Sequence, residues 1–167
     1  GYIAHLFEKA GSRVLPFDLF PGNNGHTQAP CKFIDLQKEF PIDSATADVA
    51  ILAETIEHLP DQFLLFREIA RILKPGGKLL LTTPNSSSLR SRMSQFLLES
   101  EHYGTAPPNE ITGYVHWGPG QKYFGKLFVS GIQRIRTLAA LNGLKIARVH
   151  PSARSTTAYA LLLTYPI

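Results

Sequence analysis

Two uninterrupted apolar runs, at residues 49–53 and 79–81, flank a segment in which apolar residues recur at the spacing of a helix. Such runs are typical of strands that are buried on both faces of a parallel sheet. The helical stripe consists of Phe63, Phe66, Ile69, Ala70 and Leu73. Pro60 and Asp61 predict the start of the helix, and Pro75 with the glycines after it predicts its end in a tight turn. The pattern therefore predicts a strand–helix–strand crossover unit, which is right-handed in parallel sheets.

Shorter patterns on both sides of this unit predict further strands. These strands cover residues 13–17, 32–34, 144–149 and 158–165. No helix separates the last two strands, so we expect them to pair as an antiparallel hairpin. Apolar residues near the start of the chain predict a first helix, and Gly11 stands where its C-terminal cap belongs.

Two more helices are predicted in the second half of the chain. Residues 86–100 form an amphipathic pattern, and its apolar residues on one side are Leu89, Met93, Phe96 and Leu97. Ser130 and Gln133 have the spacing of a capping box, which predicts the start of the last helix. The inward positions predicted for that helix are Ile132, Ile135, Leu138 and Leu141.

Charged residues are unevenly distributed between the two halves of the chain. Residues 1–85 contain eight Lys or Arg against ten Asp or Glu, whereas residues 86–167 contain nine against three. The basic excess indicates either solvated helix faces or a surface that meets an anionic small molecule. A nucleic-acid partner would require a denser basic patch, so none is expected.

Cysteine content and hydropathy restrict the setting. No apolar run approaches the roughly 20 residues of a membrane span. The single cysteine, Cys31, excludes an internal disulfide, which favours a reducing, cytoplasmic location.

Three short motifs follow one another through the crossover unit: IEHL at residues 56–59, EIARILKPGG at 68–77 and TTPN at 82–85. Together they resemble the class I S-adenosylmethionine-dependent methyltransferases that act on small molecules. The resemblance implies an α/β fold with a doubly wound, mostly parallel Rossmann-like sheet and a C-terminal antiparallel hairpin. It also implies a single methyltransferase domain over residues 1–167 that transfers a methyl group from S-adenosylmethionine to a small-molecule acceptor.

The resemblance also implies positions for the cofactor. Gly1 stands ten residues before Gly11, the spacing of the last glycine of the family's cofactor loop. The chain is therefore expected to be incomplete at its N-terminus and to lack the family's first strand. The other implied cofactor positions are Asp18, Leu19, Asp35, Leu36, Ala53 and Glu54.

Each of the two aspartates has a plainer interpretation. The resemblance places Asp18 on the ribose hydroxyls, and a carboxylate can accept two hydrogen bonds from a vicinal diol. The alternative is that Asp18 is only a turn former. The resemblance places Asp35 on the adenine amino group, with a surface-loop aspartate as the alternative.

Glu54, Glu57 and His58 would share one face of a helical turn. Some quinone O-methyltransferases of the family use a similar E-x-x-E-H cluster to bind a divalent metal. With no fourth ligand visible we predict no metal here. His58 is a candidate general base near the acceptor, and a structural role with Glu57 capping backbone donors is the competing interpretation.

Residues 86–129 are expected to form a lid-like insertion, because the family commonly places an acceptor lid after the TTPN strand. Most of it lacks periodicity and is rich in aromatic and histidine residues. His116 is the second catalytic candidate. The alternative is a packed surface loop whose rings fill a satellite core.

Two other functions fit the same pattern. One is a non-catalytic or incomplete methyltransferase-like domain that keeps the fold without binding cofactor. The other is a nucleotide- or NAD-binding Rossmann domain, because an acid after the second strand also suits an adenosine ribose.

Overall fold

The structure is a computed structural model that describes residues 1–23, 28–99, 114–116, 122–151 and 157–164. Contacts between residues divide the chain into two compact units, Gly1–Pro41 and Ile42–Ile167. The single domain over residues 1–167 stays a prediction. Among the described residues, none of the helices combines the length and the apolar character needed to span a membrane.

The described residues of the first unit form one helix and two short parallel strands. These elements are α1 (Tyr2–Lys9), β1 (Phe17–Asp18) and β2 (Lys32–Phe33), with a 3-10 turn at Pro21–Asn23. Phe17 pairs with Lys32. Gly11 has a φ of 82°, and its N–H donates to the carbonyl of Glu8, so the predicted glycine cap is confirmed.

The strand predicted at residues 13–17 is wrong in its extent. Only Phe17 and Asp18 pair with β2. Pro16 has no N–H to donate to a neighbouring strand, which prevents regular pairing upstream. Its carbonyl still accepts from the N–H of Lys32 at 3.0 Å.

The second unit contains the main sheet. The strands of this unit are β3 (Ala47–Ala53), β4 (Leu73–Pro84), β5 (Tyr114–His116), β6 (Lys122–Phe124), β7 (Lys145–Pro151) and β8 (Thr157–Thr164). Its helices are α2 (Gln62–Ile72), α3 (Leu89–Leu98) and α4 (Ile132–Leu141), with a 3-10 turn at Ile56–His58.

The strand order of the main sheet is β3-β4-β8-β7, and β5 pairs separately with β6. β3 and β4 are parallel, whereas β8 is antiparallel to both β4 and β7. The predicted crossover unit and the predicted terminal hairpin are therefore both confirmed.

The junction between α2 and β4 differs from the prediction of a glycine turn before the strand. β4 begins directly after Ile72, so Pro75 and both glycines lie inside the strand. Ala47 pairs with Leu73 but Val49 pairs with Lys78, which makes residues 74–77 a bulge in the ladder. A Cβ on Gly77 would lie 2.8 Å from the carbonyl oxygen of Lys74, so only glycine fits there.

α2 supplies much of the core through its buried residues Leu65, Phe66, Ile69 and Ile72. Asp61 caps the helix by accepting from the N–H of Leu64 at 2.8 Å, so its predicted start is confirmed. Phe63 is wrong as an inward position, because 44% of it is exposed.

α3 is amphipathic, as predicted, but its polar side faces inward. Ser91 and Ser94 are buried, whereas Leu89, Met93, Phe96 and Leu97 are exposed. The Ser91 hydroxyl donates to the carbonyl of Asn85 at 3.1 Å, which attaches this side to the segment after β4.

The capping box predicted for α4 is wrong. Gly131 is the N-cap and makes no side-chain cap. Ser130 is used elsewhere, since its hydroxyl donates to Oε1 of Gln62 at 2.7 Å. Ile135 faces inward as predicted, but Leu141 is exposed.

Candidate functional site

The carboxyl ends of β3 and β4 lie side by side because the two strands are parallel and Ala53 pairs with Thr82. Glu54 follows β3 directly and has a φ of 50°, an uncommon conformation for a residue with a side chain. Its N–H donates to the carbonyl and to the hydroxyl of Thr82, at 3.0 and 3.1 Å. The backbone at this strand end is therefore held by β4, at the edge where doubly wound sheets bind ligands.

Two glutamates of the E-x-x-E-H motif meet one lysine at this edge. Glu57 is 0% exposed, and its Oε2 accepts from the Thr83 hydroxyl at 3.2 Å. Its Oε1 lies 3.3 Å from Nζ of Lys126, and Oε2 of Glu54 lies 3.3 Å from the same nitrogen. The competing interpretation expected Glu57 to cap backbone donors of its own turn. Among the described residues, its carboxylate instead contacts the side chains of Thr83 and Lys126.

Within the described ranges, no three His, Cys, Asp or Glu side chains come together as metal ligands. The N–H of His58 donates to the carbonyl of Thr55 at 3.1 Å, which closes the 3-10 turn, and the His58 side chain is half-buried. A role for His58 in proton transfer stays a prediction.

His116 ends β5 and pairs with Lys122 of β6. Its side chain lies outside the described parts of the structure, as do residues 100–113 and 117–121 of the predicted insertion. Its catalytic role therefore also stays a prediction.

In the first unit Asp18 is the last residue of β1, and Asp35 stands two residues after the end of the neighbouring parallel strand β2. Asp18 pairs with Phe33, and the N–H of Ile34 donates to the Asp18 carbonyl at 3.1 Å. Oδ1 of Asp18 accepts from the N–H of Phe20 at 2.8 Å. Asp18 thus forms the turn, as the plainer interpretation expected, and its side chain is exposed at the end of β1. A role on a ribose stays a prediction.

Asp35 also organises its own turn. Its Oδ1 accepts from the N–H of Gln37 at 3.1 Å, and its Oδ2 pairs with Nζ of Lys38 at 3.0 Å. Burial acts to raise the pKa of Asp35, but the hydrogen bonds from Lys38 and Gln37 outweigh burial and hold the pKa below its usual value. An adenine amino group would have to share this carboxylate with Lys38.

The remaining predicted cofactor positions are distributed over both units. Gly1 is the N-cap of α1, Leu19 is exposed and Leu36 is half-buried. Ala53 is exposed and Glu54 half-buried at the end of β3.

A cavity of about 520 Å³ lies beyond the end of β4. Its lining residues are Ser86, Ser91, Arg92, Gln95, Phe96 and Val129. Neither Arg92 nor Lys126 was predicted as a site residue. The basic excess after residue 85 includes both residues, but it does not single out Lys126, which stands 72 residues from Glu54.

A family model described as "Methyltransferase domain" matches residues 1–146. A probable S-adenosylmethionine-dependent methyltransferase of Mycolicibacterium smegmatis is 35% identical over 89 residues, which are 51% of this chain and 35% of that protein. The ubiquinone biosynthesis O-methyltransferase of Xanthomonas oryzae is 29% identical over 94 residues, or 51% of this chain and 39% of that protein. The chain therefore spans little more than a third of the length of the curated relatives it matches.

Solved structures agree in fold. An S-adenosylmethionine-dependent methyltransferase from Mesorhizobium loti matches 98% of this chain and 86% of its own, with a TM-score of 0.67 at 12% identity. A putative one from Listeria monocytogenes matches 99% and 86%, with a TM-score of 0.65 at 11% identity. At such low identity the likeness shows the fold alone, and it confirms the predicted α/β, Rossmann-like class.

Proposed function

This chain belongs to the methyltransferase domain family, and on that premise we propose that it transfers a methyl group from S-adenosylmethionine to a small-molecule acceptor. The family match over residues 1–146 carries the proposal. It also confirms the resemblance to S-adenosylmethionine-dependent methyltransferases that the three sequence motifs indicated.

The proposed reaction is an in-line displacement. The acceptor's electron pair forms a bond to the methyl carbon, the bond from that carbon to the sulfonium sulfur breaks, and S-adenosylhomocysteine leaves as a neutral thioether. Such a reaction depends mainly on alignment of donor and acceptor. It requires at most one group to take the acceptor's proton, and His58 and His116 are our two candidates.

We assign to the donor the positions that the resemblance implied. In the first unit Asp18 would accept from the ribose hydroxyls, beside Leu19. Asp35 and Leu36 would lie against the adenine, and Gly1 against the methionine part. In the second unit Ala53 ends β3 and Glu54 follows it, and the hydrogen bonds from the Glu54 N–H to Thr82 fix the backbone there. These two residues would line the donor.

The acceptor is proposed to carry an anionic group. The cavity beyond β4 combines the guanidinium of Arg92 and the amide of Gln95 with the Phe96 ring. A guanidinium binds a carboxylate or phosphate in two-pronged fashion, and an aromatic ring covers an apolar body. This combination favours an organic anion, with α3 as part of the lid-like insertion.

Calorimetric titration with S-adenosylhomocysteine tests the donor site, in this chain and in the same chain extended upstream of Gly1. Asp18→Asn keeps an oxygen for the Phe20 N–H but removes the charge and one acceptor. We expect it to weaken binding by about 1–3 kcal/mol. Glu39→Ala, an exposed charge change in the same unit, is the matched control and should leave affinity unchanged.

The same titration separates the alternatives. Heat from NAD but not from S-adenosylhomocysteine would favour a dinucleotide-binding domain. No heat from either ligand, in both versions of the chain, would favour a domain that keeps the fold without a cofactor.

Competition between matched acids and amides tests the acceptor site. A panel of small hydroxylated carboxylic acids and the corresponding amides would be offered as methyl acceptors. We expect the wild-type protein to prefer the acids and Arg92→Gln to lose that preference. Arg90→Gln, an exposed change two residues away, should keep it. An equal preference in wild type and Arg92→Gln would contradict the anionic acceptor.

A further inference from the structure

Lys126 lies between two carboxylates of unequal exposure. Its Nζ is 3.3 Å from Oε2 of Glu54 and 3.3 Å from Oε1 of Glu57. The Lys126 side chain is 46% exposed, whereas the Glu57 side chain is 0% exposed. An ion pair between two exposed side chains contributes little to stability, but a buried carboxylate requires compensation of its charge.

Among the described residues, two side chains compensate the negative charge of Glu57. Oε2 of Glu57 accepts from the Thr83 hydroxyl, but Oε1 makes no hydrogen bond to a described residue and has Lys126 as its ion-pair partner. A hydroxyl alone stabilises a buried negative charge weakly. The ammonium group is therefore the main compensation for this side chain.

The segment that carries Lys126 is already attached to the turn after β3 by neutral hydrogen bonds. The N–H of Phe128 donates to the carbonyl of Glu57 at 3.0 Å, and Nε2 of Gln62 donates to the carbonyl of Phe128 at 2.6 Å. The Ser130 hydroxyl adds a bond to Gln62. These bonds attach the segment without the charge of Lys126. We therefore assign that charge to the compensation of the two carboxylates.

We propose that Lys126 is the resident cation of a two-carboxylate site formed by Glu54 and Glu57. Its ammonium takes the place that a divalent metal ion would take between the same oxygens. Lys126 acts here as a positioning residue. Its ion pair with the buried Glu57 fixes the ammonium, and the ammonium in turn holds the carboxylate of Glu54 at the end of β3. Without the ammonium, the two carboxylates would recruit a cation from solution.

Thermal unfolding in the presence of EDTA tests the compensation. Lys126→Met keeps the aliphatic stem and removes the charge, and we expect it to lower the melting midpoint by about 6 °C or more. Adding Glu57→Gln in that background should restore most of the loss. Lys74→Met is the matched control, because Lys74 pairs with Asp48 at 2.8 Å with both partners exposed, and it should shift the midpoint far less.

Manganese then tests the site itself, after EDTA has been removed. Mn²⁺ should raise the midpoint of Lys126→Met, and should leave both the wild-type protein and the Lys126→Met, Glu57→Gln double variant unchanged. Equal shifts in wild type and Lys126→Met would overturn the proposal, as would an absence of any Mn²⁺ effect on a folded Lys126→Met. If Lys126→Met is insoluble, a soluble double variant supports the proposal and an equally insoluble one contradicts it.

Discussion

α2 and α3 belong to the same unit and have similar lengths, yet they turn opposite faces to the interior. α2 buries Leu65, Phe66 and Ile69 against β4 and α4. α3 buries Ser94 and leaves 82% of Phe96 exposed. Hydrophobic periodicity identifies which residues of a helix share a face, but it does not determine which face is turned inward.

The segments before the two helices explain the difference. Asp61 caps α2 at its start. The apolar stripe that follows packs against β4 of the main sheet. α3 follows β4 through three serines, and Ser88 caps it by accepting from the N–H of Ser91 at 3.1 Å. Hydrogen bonds of small polar groups hold α3, whereas burial of large apolar groups holds α2. The face of α3 left outward includes Phe96, which also lines the proposed acceptor cavity.

The largest expected difference in the free energy of unfolding is between alanine substitutions of Phe66 in α2 and Phe96 in α3. Phe66→Ala should lower the free energy of unfolding by about 3–5 kcal/mol, because it leaves a cavity in the core. Phe96→Ala should change it by less than about 0.5 kcal/mol, because the ring is mostly in solvent. Urea denaturation measures both. A large loss of unfolding free energy in Phe96→Ala would mean that the outward face of α3 is covered. The contrast between the apolar faces of α2 and α3 would then be wrong.

The caps should show an intermediate effect in both helices. Asp61→Ala and Ser88→Ala each remove a side-chain acceptor from a helix N-terminus, so each should cost about 1 kcal/mol in urea denaturation. Asp61→Asn and Ser88→Thr retain an acceptor and serve as controls. If Ser88→Ala costs nothing, hydrogen bonds at the start of α3 do not hold this helix.

The two inward serines should respond differently to replacement by alanine, and Ser94→Ala should have the smallest cost of all these changes. Ser94→Ala removes a buried hydroxyl that makes no hydrogen bond to a described residue, so it should be neutral or stabilise the protein by up to about 1 kcal/mol. Ser91→Ala breaks the bond to the Asn85 carbonyl and should cost about 1 kcal/mol. Differential scanning calorimetry of the two variants resolves this pair. A loss from Ser94→Ala as large as that from Ser91→Ala would show that the Ser94 hydroxyl has a partner.

Features whose signal is local in the chain were predictable. The crossover unit, the terminal hairpin, the Asp61 cap and the Gly11 cap all depend on neighbouring residues, and the structure has each of them. Ser130 fits a local capping pattern but bonds to Gln62, 68 residues away, so a distant partner replaced the predicted cap. A local pattern succeeds when nothing distant competes for the same atoms.

The candidate site was predictable only in part, for the same reason. Motifs placed Glu54 and Glu57 at one strand end, and the structure brings their carboxylates to one nitrogen. The nitrogen belongs to Lys126, whose position depends on how the segment before α4 returns to the sheet. Asp18 and Asp35 illustrate a second limit, because a carboxylate that forms a turn and one that binds a ribose have the same sequence signature.

β4 has consequences for how the chain folds as it is synthesised. It pairs on one side with β3, which precedes it, and on the other with β8, which leaves the ribosome only after α3, α4 and β7. Until then the β8-facing edge of β4 presents unpaired backbone groups beside Leu79 and Leu81. The nascent chain therefore carries an open strand edge until β8 has been synthesised, which exposes it to aggregation in this interval.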